Sequence, residues 1–207
     1  STPNMDRLAA GGLRYTNFHT TAMCSPTRAS LLSGRQHHAA GVGAVAEFAV
    51  GFPGYQGALT KRAATLAEMI GPKGYSTLAV GKWHLMPLRH ASAAGPFDYW
   101  PTQRGFDHWY GFAGGYTDSW HPELYDGTTA VDLPGTPGYH LSEDLIDRAI
   151  EQVRDQQSAG QDRPFFLYVG FGAAHWPHHV PLSYVEKYRG RYDAGWDAAR
   201  EAWLTRQ

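Results

Sequence analysis

The sequence predicts an α/β protein, a mostly parallel sheet sandwiched by helices. Two observations carry that class. Helix-type and strand-type patterns alternate along the chain, and two of the strand-type runs, "YSTLAV" and "PFFLYVGF", are apolar on both faces, as strands buried in a sheet are. At 207 residues the chain is long enough for one good core with insertions. No internal repeat, low-complexity tract or linker divides it.

The elements follow in order. "TPNMDRLAAGG" predicts a short helix, with Thr2 placed to cap it, Pro3 in the first turn and Gly11-Gly12 at the end. Met5, Leu8 and Ala9 share one face of it. "LRYTNF" then has the pattern of a strand. Ser25-Pro26 repeats the cap-plus-proline start, so "PTRASLL" is expected to be a helix that ends at Ser33-Gly34. Cys24 falls at its N-terminus, where free N–H groups and the dipole favour negative charge. "ATLAEMI" is another short helix, and "YSTLAV" is a buried strand. From Ser142 to Ser158 runs the clearest helix, with Leu145, Ile146, Ala149, Ile150 and Val153 in one stripe. "PFFLYVGF" after it is expected to be a central parallel strand. The Pro- and Gly-rich stretch from Pro87 to Tyr139 predicts long ordered loops around a site.

Composition excludes several function classes. Lys and Arg total 18 against 19 Asp and Glu, so no large field draws the chain to nucleic acid or to a membrane surface. No apolar run is long enough to cross a bilayer. One cysteine rules out an internal disulfide framework. Such a lone cysteine is by default a small buried apolar residue, and its neighbours have to argue otherwise.

They do so through the strand ends. "YSTLAV" runs into "GKWHL" and "PFFLYVGF" into "GAAHWPHH". Ligands of open α/β sheets bind at the carboxyl ends of the strands, so Lys82, His84 and His175 are expected over one edge of the sheet. Arg28 lies one helical turn after Cys24 and can fold back toward it. A cysteine with an Arg, a Lys and two His nearby describes a thiolate nucleophile or, equally, an anion pocket for sulfate or phosphate. Pro177 breaks the spacing a His-x-x-His pair would use, which argues against a metal site made of "HWPHH" alone.

"CSPTRASLLSG" resembles the sulfatase signature Cys-x-Pro-x-Arg, with Ser33 in place of the usual Thr, and "GYSTLAVGKWHL" resembles the second signature of that family. The likeness extends through "ASAAGPFDYWPTQRGFDHWYGFAGGYTDSW" and the last thirty residues, and is strongest to the large bacterial arylsulfatases of the alkaline-phosphatase-like superfamily. The resemblance implies that a maturation enzyme oxidises Cys24 to formylglycine, whose hydrate attacks sulfur. It implies that Arg28, Lys82 and a divalent metal, calcium or magnesium, stabilise the charge. His175 would protonate the departing oxygen and touch the sulfate with Lys82, and His84 would deprotonate the second hydroxyl so that sulfate is expelled. The substrate implied is a small sulfate ester, aryl sulfates above all, with no nucleic-acid or membrane partner. A bacterial cytoplasm or periplasm fits the same resemblance.

The chain departs from the family in its metal ligands. There is no Asp-Asp dipeptide, and the only two asparagines, Asn4 and Asn17, precede Cys24. Residue 24, as formylglycine, is the one expected metal ligand. Residues 1–207 are thus expected to be part of a single sulfatase catalytic domain that lacks the first strand and the C-terminal portion. Two alternatives stand beside the sulfatase reading. One is a phosphonate monoester or phosphodiester hydrolase of the same superfamily, and the other a truncated, non-catalytic remnant. The aromatic loop "DHWYGFAGGYTDSWHPELY" would suit an aryl leaving group, though such loops also build cores.

Overall fold

The computed structural model describes residues 2–133, 135, 137–160 and 162–206. Pro134 and Thr136, in the stretch expected to form loops, lie outside the described residues. The elements are α1 (Pro3–Ala10), α2 (Cys24–Ser33), α3 (Leu66–Ile70), β1 (Ser76–Gly81), β2 (His108–Gly111), β3 (Leu124–Asp126), β4 (Thr129–Val131), α4 (Leu141–Ala159), β5 (Phe165–Gly170), α5 (Leu182–Glu186) and α6 (Trp196–Arg206). No helix among the described residues is long and apolar enough to cross a membrane.

One five-stranded sheet has the order β4-β3-β2-β1-β5. β1 pairs parallel with both β2 and β5, and an antiparallel run of β3 and β4 extends the sheet beyond β2. Strand alternation divides the side chains between two cores. Ala79, Trp109 and Tyr125 face a core shared with Ala29 and Leu32 of α2 and Ala67 of α3. Val80, Tyr110 and Leu124 face the other, closed by Leu141, Leu145 and Ala149 of α4. Those three helical residues recur every four positions, so one stripe of α4 lies flat on the sheet. Helices therefore cover both faces, as the α/β reading requires.

Local chemistry sets the ends of these elements. Thr65 caps α3 in a reciprocal box: its hydroxyl accepts from Glu68 N–H at 3.0 Å while its own N–H donates to the Glu68 carboxylate at 2.7 Å. Gly34 closes α2 in the left-handed region, at φ 64°. α2 itself begins at Cys24 with Met23 as its cap, two residues before the expected Ser25 cap. The cysteine thus occupies the first helical position.

Three expectations need correcting. "LRYTNF" forms no strand; residues 13–18 are exposed coil, because alternation alone makes no strand without a neighbour to take its hydrogen bonds. β5 is parallel as expected, but it sits at the sheet's edge, and Phe165 and Val169 are partly exposed. The Pro87–Tyr139 stretch is less loop than core. It contributes β2, β3 and β4, and it supplies Trp100, Arg104, Phe106, Trp109 and Phe112, all buried. Trp100 packs edge-on against Trp109 and Tyr125, with ring centres 5.5 and 4.9 Å apart. Each buried indole N–H has a carbonyl: Trp83 donates to Tyr99, Trp100 to His90 and Trp109 to Gly81. The aromatic-rich sequence is largely spent on this packing.

The strands that carry the predicted site end in glycine: Gly81 on β1, Gly111 on β2 and Gly170 on β5. A Cβ on Gly111 would run into the Gly81 carbonyl, and one on Gly81 into the Gly170 carbonyl. A Cβ on Gly170 would lie 2.9 Å from both Arg28 Nη1 and the Lys82 carbonyl oxygen. The three strand ends can approach only because no side chain stands between them.

Candidate active site

Beyond Gly81 the chain continues between its neighbours rather than turning away. Lys82 N–H donates to the Gly170 carbonyl at 2.7 Å, Trp83 N–H to Phe112 at 3.0 Å and His84 N–H to Ala113 at 3.0 Å. Trp83 is buried in the first core and anchors the segment. Lys82 and His84, each only 3% exposed, flank it. His84 reaches its position with φ 57°, a left-handed conformation that a residue with a side chain adopts at a cost on the order of 1–3 kcal/mol. Packing and hydrogen bonds on both sides hold it there.

Four of the five expected residues come together. Cys24 Sγ lies 3.3 Å from His84 Nδ1. Arg28, one turn along α2, donates from Nη1 to the Lys82 carbonyl at 2.8 Å and to the Tyr168 hydroxyl at 2.6 Å. Burial pushes the Cys24 thiol up. The hydrogen bond with His84, the charges of Lys82 and His84, and the Ser25 N–H outweigh it, bringing the thiol from 9.0 down to about 6. Burial and the neighbouring Arg28 hold the Lys82 ammonium below its usual value, while Cys24 and Glu47 act in the opposite sense.

Glu47 is the member that sequence reasoning missed. Its carboxylate lies 3.0 and 2.9 Å from His84 Nε2. The ring nitrogen facing the carboxylate carries a proton, so toward residue 24 Nδ1 accepts from a protonated thiol or hydroxyl and, once charged, donates to the thiolate. Gly115 lies against the dyad, where a Cβ would sit 2.8 Å from His84 Cε1 and 3.0 Å from Glu47 Oε1. One signal was available: Glu47 is the only acid between Asp6 and Glu68, set in an apolar, Gly-rich stretch.

His175 stands apart. It rides on the exposed loop after β5, over the same sheet edge as expected. It makes no hydrogen bond to Cys24, Arg28, Lys82 or His84 among the described residues. Its Nδ1 lies 2.7 Å from the Trp176 carbonyl, and its ring stacks on Tyr116 at 5.8 Å and 3°. "HWPHH" assembles no metal site: His179 pairs instead with Asp118 at 3.4 Å. Indeed, no group of three or more His, Cys, Asp and Glu side chains among the described residues is placed to hold a metal ion. Calcium takes about six to eight oxygen ligands. Around residue 24 stand Lys82, Arg28 and His84, with the Glu47 carboxylate already engaged. These residues by themselves do not fit a calcium or magnesium cage.

The comparisons with known proteins follow this geometry. The sulfatase family matches residues 1–206. An uncharacterized sulfatase of Schizosaccharomyces pombe is 37% identical over 220 residues, covering all of this chain and 39% of its own length. The arylsulfatase of Klebsiella aerogenes is 29% identical, covering 94% of this chain and 42% of its own. Among solved structures, yidJ of Bacteroides fragilis superposes with a TM-score of 0.73 at 25% identity, over 92% of this chain and 42% of that one. The chain spans about two fifths of the length of the curated relatives it matches. Two signatures at adjoining strand and helix ends, the alkaline-phosphatase-like α/β fold and this match along the whole chain lead to one statement: the chain belongs to the sulfatase family.

Proposed function

We propose that the protein carrying this chain hydrolyses sulfate esters, aryl sulfates among them, with Cys24 oxidised to formylglycine as the nucleophilic residue. The observation that carries the reading is the contact of Cys24 with His84, backed by Glu47 and flanked by the buried Lys82 and Arg28. Formylglycine supplies a hydrated aldehyde, a hydroxyl nucleophile better than serine and able to release sulfate without water attacking sulfur. The rest is done by side chains of the chain itself. Lys82 and Arg28 give a sulfate group fixed positive charge in a site already desolvated, so no reorganisation is needed as charge develops. His84 Nδ1 receives a proton from residue 24, and Glu47 steadies the resulting imidazolium. His175, with Nδ1 donating to the Trp176 carbonyl, keeps Nε2 free to protonate the departing oxygen.

Co-expression with a formylglycine-generating enzyme, followed by peptide mass spectrometry with a hydrazide probe, is expected to find the aldehyde at residue 24. An unmodified thiol in well-matured protein would sink that part of the reading. In the complete enzyme, His175→Ala is expected to slow esters with basic leaving groups most, since a general acid matters most there. Equal losses across substituted phenyl sulfates would reduce His175 to a sulfate contact. We further propose that the 207 residues alone turn over little, because the residues present leave the metal site incomplete. Chelator-sensitive hydrolysis of a chromogenic aryl sulfate by the matured 207-residue chain, at the complete enzyme's rate, would overturn this.

A further inference from the structure

We propose that Tyr116 and Trp176 form the leaving-group wall of this site and select sulfate esters whose departing oxygen sits on a ring with a flat apolar face. The proposal rests on the hydrolase reading above and adds a specificity-determining pair to it. Aromatic residues are abundant between Asp107 and Tyr125, but most of them are core. Trp109, Tyr110, Phe112 and Tyr125 are buried in the two cores, and Trp120 packs edge-on against His140 at 4.9 Å. Tyr116 is the exception, 55% exposed and a member of neither core. It is also the next residue after Gly115, which lies against the His84 ring. The chain thus leads directly from the dyad to an aromatic ring on the surface.

That ring meets the loop after β5. Tyr116 lies parallel to His175 at 5.8 Å and 3°, and Trp176, 61% exposed, stands against it at 5.4 Å and 67°. His175 Nδ1–H donates to the Trp176 carbonyl at 2.7 Å, so Nε2 is the nitrogen left for a ligand. Two exposed rings set at a wide angle make an apolar corner, and aromatic faces hold a flat partner by stacking and area burial. A ring seated in this corner meets His175, which stacks on Tyr116, one residue along the chain from Gly115 beside the His84 ring. An acyclic alkyl group has no flat face to offer and gains little from the corner.

The test measures binding to the Cys24→Ala variant of the complete protein, which cannot turn over. Phenyl sulfate, methyl sulfate and inorganic sulfate are titrated calorimetrically against it, alone and with Tyr116→Ala or Tyr116→Phe added. Phenyl sulfate is expected to bind about tenfold more tightly than methyl sulfate, the gain typical of one aromatic contact. Tyr116→Ala is expected to erase that preference, Tyr116→Phe to keep it, and both to leave inorganic sulfate within about twofold, a span too small for a lost contact. A preference that survives Tyr116→Ala, or is absent from the start, overturns the proposal. Sulfate binding indifferent to Lys82→Met, or no sulfate binding at all, overturns the hydrolase reading instead. In that case phenol alone decides the corner by NMR: shifts confined to Tyr116, His175 and Trp176 support it, and shifts elsewhere or none overturn it.

Discussion

The two histidines of the proposed chemistry live in different surroundings. His84 is enclosed: its backbone hydrogen-bonds to Ala113, one ring nitrogen faces Glu47, the other faces Cys24, and Gly115 closes the space beside it. His175 is exposed and is tied down by its Trp176 carbonyl and by the Tyr116 stack. The contrast extends to the regions around them. The part from α2 through β3 holds both the tryptophan-rich packing and the cations Arg28 and Lys82. The segment after β5 leaves Leu182, Trp196 and Leu204 exposed. The groups proposed to handle charge on residue 24 are thus preorganised by a core, whereas the histidine proposed to meet the departing alcohol stands on an exposed loop.

The contrast can be broken from the enclosed side first. Gly111→Ala puts a methyl into the Gly81 carbonyl and is expected to cost about 3 kcal/mol, the top of the usual overpacking range. Loss of the cooperative thermal transition would register it, and a transition unchanged from the parent chain would contradict the packed floor. Next comes Glu47→Ala, which leaves His84 free to turn. In the complete enzyme kcat is expected to fall about a hundredfold, as for loss of acid–base assistance, with inorganic sulfate inhibition retained. A fall shared by sulfate binding would show that Glu47 shapes the anion site rather than the base.

A smaller effect sharpens the electrostatics. In the unmodified chain Cys24 is held at about 6 rather than 9.0. The thiolate therefore forms as pH rises through that value, well below the range of an ordinary thiol. Iodoacetamide labelling is expected to rise with a midpoint near 6, and to move to higher pH in His84→Ala, which removes both a hydrogen bond and a charge. A midpoint unmoved by that change would contradict the pairing. The smallest effect lies on α1. Leu8 is 79% exposed, so Leu8→Ser is expected to change stability of this chain by no more than about 0.5 kcal/mol, measured by urea denaturation.

The same contrast explains what the sequence made legible. β1 could be read because its pattern reports burial directly, and it is buried at every residue. Of the expected α4 stripe, Leu145 and Ala149 are buried while Ile146 and Ile150 stay partly exposed, because the buried stripe runs through Leu141 instead. Cys24, Arg28, Lys82 and His84 could be placed together because strand ends and one helical turn bring them there. β5 has an apolar sequence suited to the middle of a sheet, and sequence period cannot say which strand is next to it. "LRYTNF" alternates like a strand, but hydrogen-bond partners are a tertiary matter. Glu47 belongs to no periodic element that would aim it at His84; a stretch of loop and short 3-10 turn brings it in across 37 residues. Tyr116 could not be told from its buried neighbours by composition.

The glycine floor has a consequence for how such a site could diversify. With Gly81 packed against both Gly111 and Gly170 so closely that a Cβ would meet a carbonyl, these strand ends beside the site offer no side chain to exchange. Their spacing is fixed by main-chain contact, and nearly every single substitution there risks misfolding. Variation is left to the rim, where loops can lengthen or change residues without disturbing strand contact. A library built to retarget this scaffold would therefore spend its diversity on positions such as Tyr116 and Trp176 and keep the three strand ends constant.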